Sequence, residues 1–362
     1  MNASQPLLEL TRGKMVESKH YGSIAVVDST GKLLNSYGDP NRVAFLRSSA
    51  KPFQALPFVE QGGVEHYGFT PADLAISCAS HETGQLHLDL VHSLQVKVGI
   101  QEQHLQCGPH LPSDANKLRE VILQNIKPTP NFNNCSGKHT MMLAFAKMRS
   151  LPLETYLDLE HPIQIDILNT LSEMCMIDKT KIQLGIDGCS AINFATPLYH
   201  AALGMARLCD PFELSESRAS ACKKITSAML AHPEMISNYG EFDCELMKAG
   251  AGKVVTKQGA EGFQIIGVMP NLINESDALT GEAVSKRGIG IAFKVVDGDR
   301  SEMNDNLESS SRVRPAVTLE ILRQLNVLNE SELKSLSKFG PEKVLKNYAG
   351  LVTGESKPVF EL

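Results

Sequence analysis

Residues 22–38 read GSIAVVDSTGKLLNSYG, two apolar, β-branched runs on either side of the turn residues Ser29-Thr30-Gly31. That is the pattern of an antiparallel hairpin. The same character returns only after residue 250, in GKVVTKQG, GFQIIGVM and GIGIAFKVVDG. Between them, apolar positions recur every three or four residues, as in HLDLVHSLQVKVG (87–99) and AINFATPLYHAALGMARL (191–208), which predicts helices. Buried strand edges must be paired, so the N-terminal hairpin and the C-terminal strands are expected in one antiparallel sheet with the helical middle packed beside it. The expectation is an α+β fold of one unit over residues 1–362, with its sheet drawn from about 16–47 and 250–362 and its helical region from about 48–249. AVTLEILRQLNV at 316–327 reads as an amphipathic helix, and polar GDRSEMNDNLESSS at 298–311 as the flexible stretch.

The chain has 362 residues, enough for a large core, with 42% apolar and 21% charged residues, as in ordinary globular proteins. No run approaches the roughly 18 to 20 apolar residues of a membrane helix, so no membrane partner is expected. The first residues lack a basic head followed by an apolar run, which predicts a cytoplasmic protein. The net charge of −6 is spread without long blocks of one sign and argues against nucleic acid. Eight cysteines without a CxxC pair are expected to be reduced thiols.

Five segments could carry chemistry. In Arg47-Ser48-Ser49-Ala50-Lys51-Pro52, a helix starting at Ser48 or Ser49 puts Pro52 in its first turn and residues 48 and 51 on one face. Lys51 could then take the proton of Ser48, if burial or nearby positive charge such as Arg47 lowers its own proton affinity. An isolated S-x-x-K is more often a capping serine and a solvated lysine. Ser77-Cys78-Ala79-Ser80-His81-Glu82 gathers proton-carrying groups but reads equally well as a polar turn. Asn133-Asn134-Cys135-Ser136-Gly137-Lys138-His139 precedes a helix and can present backbone N–H groups to an anion or carbonyl. IDGCS places the acid Asp187 and the thiol Cys189 two residues apart, and Cys189 with Cys135 could complete a zinc site with other ligands, although the spacings match no common zinc module and favour structural cysteines. Lys257-Gln258-Gly259-Ala260-Glu261-Gly262 ends a strand, where glycine lets substrate approach the strand edge, or forms a charged hairpin.

Taken together, VESKHYGSIAVVD, FLRSSAKPFQALPFVE, CASH, CGPH, NNCSGKH, IDGCSA and KQGAEG resemble the asparaginase II family of the rhizobial, thermolabile type over most of the chain. RSSAKPFQALP and NNCSGKH carry most of the specificity. The resemblance implies a fold similar to serine β-lactamases and glutaminases, and hydrolysis of L-asparagine to L-aspartate and ammonia. It implies two Ser-Lys pairs, Ser48 with Lys51 and Ser80 with Lys257, of which Ser48 is the preferred nucleophile. It also implies a Zn2+ ion on Cys135, Lys138 and Cys189, and a homodimer. Arg47, His139, Asp187 and Glu261 are the candidate substrate-binding residues. A glutaminase or broader Ser-Lys amidase, and a catalytically silent amino-acid-binding protein, are the alternatives.

Overall fold

The computed structural model describes residues 4–270, 286–299, 301–303 and 309–362. Its strands are β1 (Gln5–Arg12), β2 (Met15–Asp28), β3 (Leu33–Tyr37), β4 (Val43–Phe45), β5 (Gln183–Ile186), β6 (Ile192–Pro197), β7 (Val254–Gly259), β8 (Phe263–Val268), β9 (Ile289–Val295), β10 (Ser301–Met303), β11 (Ser309–Ser311), β12 (Lys343–Lys346) and β13 (Val352–Pro358). The expected hairpin is β2–β3. At its turn, Asp28 Oδ1 accepts from Thr30 N at 2.9 Å and Lys32 N at 3.0 Å, and Gly31 supplies a left-handed φ of 93°.

The main sheet runs β12-β13-β1-β2-β9-β8-β7, with β3 also on β2. The N-terminal hairpin joins the C-terminal strands through the antiparallel β2–β9 ladder, in which Ile24 faces Phe293 and Val26 faces Ile291. Alternation along these strands then fills two cores. Ala25, Val27, Val255, Ile265 and Ala292 enter the core made with the helical middle. Ile24, Val26, Ile266, Ile291 and Phe293 enter a second core with the helix Arg314–Gln324. The sheet is therefore covered on both faces, and its strands read as nearly continuous apolar runs for that reason. Gly290 marks the tightest contact, because a Cβ there would lie 1.8 Å from the carbonyl oxygen of Ala202 on the helix Leu198–Cys209.

Three sequence expectations change. The run at 191–208 is not helical throughout: Ile192–Pro197 is strand β6, whose partly β-branched residues pair with β4 and β5, and the helix starts only at Leu198, after Pro197. The middle thus carries a small β4-β6-β5 sheet. The main sheet begins at Gln5 rather than near 16, while β12 and β13 fall inside the expected C-terminal sheet region. The stretch at 298–311 holds the β10–β11 pair, and residues 300 and 304–308 of it lie outside the described residues. Among the described residues no helix is long and apolar enough to cross a membrane.

Candidate active site

Three buried side chains from three distant segments meet at one hydroxyl. Lys51 opens the helix Lys51–Glu60, which follows a 3-10 turn at Arg47–Ala50 and carries Pro52 in its first turn, as the spacing predicts. Ser80 lies just beyond the helix Pro71–Ser77, which is fixed at its start by a reciprocal Thr70/Asp73 capping box. Lys257 comes from β7. Lys51 Nζ lies 2.8 Å and Lys257 Nζ 3.0 Å from Ser80 Oγ. Lys51 also donates to Ala79 O, and Lys257 to Gln258 O at 3.1 Å. The two lysines are 1% and 0% exposed and Ser80 is 6% exposed.

This geometry brings together Lys51, Ser80 and Lys257, and leaves out the predicted partner of Lys51. Ser48 is half-buried and its carbonyl accepts Lys51 N, but among the described residues no hydrogen bond joins Ser48 Oγ to Lys51 Nζ. A lysine side chain has four methylenes, so it reaches the neighbouring loop as readily as its own helix face. Burial pushes Lys257 down to about 7, against the pull of Asp243 and with further lowering by Lys51. Its neutral amine is therefore well populated near neutrality and can accept the Ser80 proton. Cys78 beneath them is pushed up to about 12 by burial and stays a thiol.

Beside this group is a second one. Asp187 and Cys189 sit on the turn of the β5–β6 hairpin, closed by Asp187 N to Ala191 O at 2.9 Å and Ser190 N to Asp187 O at 2.9 Å. Arg47 Nε donates to Asp187 Oδ1 at 2.6 Å, and Arg47 is held at a φ of 53° with its N–H on Asn193 Oδ1 at 3.1 Å. Lys138 Nζ lies 3.2 Å from Cys189 Sγ, which in turn is 3.7 Å from Asp187 Oδ2. Burial raises the Asp187 carboxyl, but Lys138 and Arg47 outweigh it and hold it below the usual carboxylate range. A hydrogen bond from Cys189 drives Cys135 well below an ordinary thiol, with Lys51 and Lys138 adding to the effect. Lys51 thus links the two groups.

Cys135 and Cys189 are thiols of the kind that hold zinc, and Lys138 could join them only as a neutral amine. Burial favours that form, but the charges on Cys189, Cys135 and Asp187 outweigh it and raise Lys138 above an ordinary lysine. Among the described residues no three His, Cys, Asp or Glu side chains are grouped so as to hold a metal ion. His139, four residues after Cys135, shares a hydrogen bond with Tyr156 Oη through Nδ1 at 2.6 Å, and among the described residues its buried Nε2 has no hydrogen-bond partner. Burial brings His139 down to about 4. Glu261 stands exposed at the β7–β8 turn, with its carbonyl accepting Lys294 Nζ. His81 is buried with Nε2 on Ser136 Oγ at 2.9 Å, and burial keeps it neutral.

Two residues at the site are not among the candidate site residues. Ser49 is fully buried and donates to Lys257 O at 2.7 Å, and Asp243 accepts from Gln258 N at 2.6 Å. Gly259 permits the first contact, since a Cβ there would lie 2.5 Å from Leu46 O and 3.1 Å from Ser49 Oγ.

The family described as L-asparaginase II matches residues 8–358. A Bacillus subtilis glutaminase, solved in covalent complex with 5-oxo-L-norleucine, is similar at 13% identity and a TM-score of 0.39, over 85% of this chain and 88% of that one. A probable glutaminase from Bacillus subtilis gives 11% identity and 0.39, over 85% and 89%. A β-lactamase from Mycobacterium bovis gives 12% and 0.38, over 84% and 94%. No curated protein matches the chain by sequence.

Proposed function

The chain belongs to the L-asparaginase II family and is an amidohydrolase, and from that premise we propose that it converts L-asparagine to L-aspartate and ammonia through a serine activated by a buried lysine pair. The observation that carries this reading is Ser80 Oγ within hydrogen-bonding reach of both Lys51 and Lys257. In the proposed reaction, Ser80 Oγ attacks the side-chain amide carbon as its proton passes to neutral Lys257. The protonated Lys257 then gives that proton to the leaving nitrogen, the C–N bond breaks and ammonia departs. Water attacks the resulting ester with Lys257 again taking a proton, and aspartate is released with Ser80 restored. Lys51 Nζ, donating to Ser80 Oγ, favours the developing alkoxide.

Arg47, close to Asp187 on the hairpin turn, is proposed to receive the substrate carboxylate, with Asp187 facing the substrate ammonium. Cys135, Lys138 and Cys189 would hold a zinc ion, which would supply a fixed positive centre that orders the Asp187 side of the site. A homodimer in the cytoplasm completes the proposal.

Ser48 supports a second reading, because it is half-buried where Ser80 is 6% exposed. There, Ser48 attacks and Ser80 relays its proton. Ammonia release from asparagine, glutamine and simple amides tests the substrate, and fastest turnover of glutamine would replace asparaginase by glutaminase. Ser48→Ala separates the two serines: turnover within about tenfold of wild type supports attack by Ser80, and a loss above a thousandfold transfers the role to Ser48.

A further inference from the structure

The Lys257–Gln258 peptide is held by both of its polar atoms. Ser49 Oγ donates to Lys257 O at 2.7 Å, and Asp243 Oδ2 accepts from Gln258 N at 2.6 Å. In a trans peptide the C=O and N–H point in opposite directions, so the two side chains grip the unit from opposite sides. The other Asp243 oxygen accepts from Gln264 Nε2 at 2.9 Å, and that amide also donates to Thr256 Oγ1 at 2.6 Å. Arg314 Nη1 reaches Gln258 Oε1 at 2.9 Å and Gln264 Oε1 at 3.2 Å, while its Nε is engaged by Asp299 at 2.8 Å.

Asp243 is 2% exposed, and among the described residues no ion pair joins it to a lysine or arginine. Burying a carboxyl group is costly, and an apolar residue of similar size could fill the space at less cost. Its position supplies a reason to keep it. It fixes the backbone from which Lys257 departs, one residue before the bond it accepts.

We propose that Asp243 and Ser49 are positioning residues for Lys257, clamping the Lys257–Gln258 peptide so that the lysine amine is delivered to Ser80 Oγ. This rests on Lys257 serving as the proton acceptor for Ser80. The clamp demands an acceptor at both Asp243 oxygens, because each faces an N–H donor. An asparagine there must turn its NH2 toward one of those donors and break that bond. The other charged groups facing Lys257, namely Lys51, Cys135, Arg314 and Glu82, are left in place by the substitution.

The test is ammonia release by Asp243→Asn and Ser49→Ala, with Lys257→Met as reference and thermal melting to establish folding. Misplacement of a reacting group by about 1 Å can cost on the order of a hundredfold in rate. Each clamp variant is therefore expected to lose roughly ten- to a hundredfold in kcat with KM changed by less than about twofold, and Lys257→Met to be inactive. A purely structural role would lower the melting temperature and leave kcat per folded molecule unchanged. Folded clamp variants with wild-type kcat beside an inactive Lys257→Met overturn the clamp alone. An active Lys257→Met overturns both the clamp and the role of Lys257. If Asp243→Asn does not fold, Ser49→Ala, which removes a single hydroxyl, decides by the same criteria.

Discussion

Ser80 Oγ has one proton and two amine neighbours, so the protonation state of Lys257 decides what the site can do. An unperturbed lysine titrates near 10.4 and would be charged throughout the neutral range. Burial brings Lys257 down to about 7. As pH falls through that value the lysine gains a proton and can no longer accept one from Ser80. The expected kcat/KM profile therefore rises with pH through about 7 and falls roughly tenfold per unit below it. Initial rates of ammonia release from pH 5 to 9 check this, and a flat profile down to pH 5 is incompatible with it. Glu82 provides a contrasting expectation. Burial and the nearby Glu241 push it up to about 8, so it is largely neutral at pH 7. Glu82→Gln should then keep kcat at pH 7 within about threefold of wild type, measured in the same assay. At this scale the sequence wording paired Ser80 with Lys257, a contact the structure contains, but gave Lys51 to Ser48 instead of Ser80. Spacing favours Ser48 for Lys51, whereas the bond actually made crosses to a loop 29 residues away. Ser49 and Asp243 were illegible because they act on backbone atoms, 208 and 15 residues distant, through interactions that leave no pattern in a single sequence.

The elements were read best where burial imposes one period. Strands β2, β7, β8 and β9 were legible because β-branched residues fill both faces of a sheet covered on two sides. β6 was misread because Ile192, Phe194 and Ala195 also suit a helix until Pro197 interrupts the pattern. The two close glycine contacts have different expected consequences. At Gly290 a Cβ would meet Ala202 O at 1.8 Å, so Gly290→Ala must lift the helix Leu198–Cys209 from the sheet. It should destabilise the protein by about 3 kcal/mol, seen as a lower denaturation midpoint. At Gly259 the obstruction is Leu46 O and Ser49 Oγ, so Gly259→Ala should push β7 from the Arg47–Ala50 turn. Its loss should appear in kcat more than in melting temperature, and the reverse ranking would speak against the close approach as a catalytic requirement.

Across the whole molecule, one sheet separates two cores and carries Lys257 along its edge strand β7, while the helical side supplies Lys51, Ser80, Cys135 and Lys138. The site is assembled between layers, so the sheet and the helical region must both be in place for it to form. The proposed metal binding belongs to this scale as well, because Cys135 and Lys138 precede and begin one buried helix and Cys189 sits on the hairpin of the small sheet. Zinc content measured on purified protein should be about one ion per chain and should fall sharply in Cys135→Ser. Equal zinc in both proteins would remove Cys135 from the ligand set. The central claim, that Ser80 is the hydroxyl the two lysines activate, is tested most directly by steady-state ammonia release from L-asparagine by folded Ser80→Ala. The expected kcat is at least about a thousandfold below wild type with the melting temperature retained, and turnover close to wild type would contradict the account.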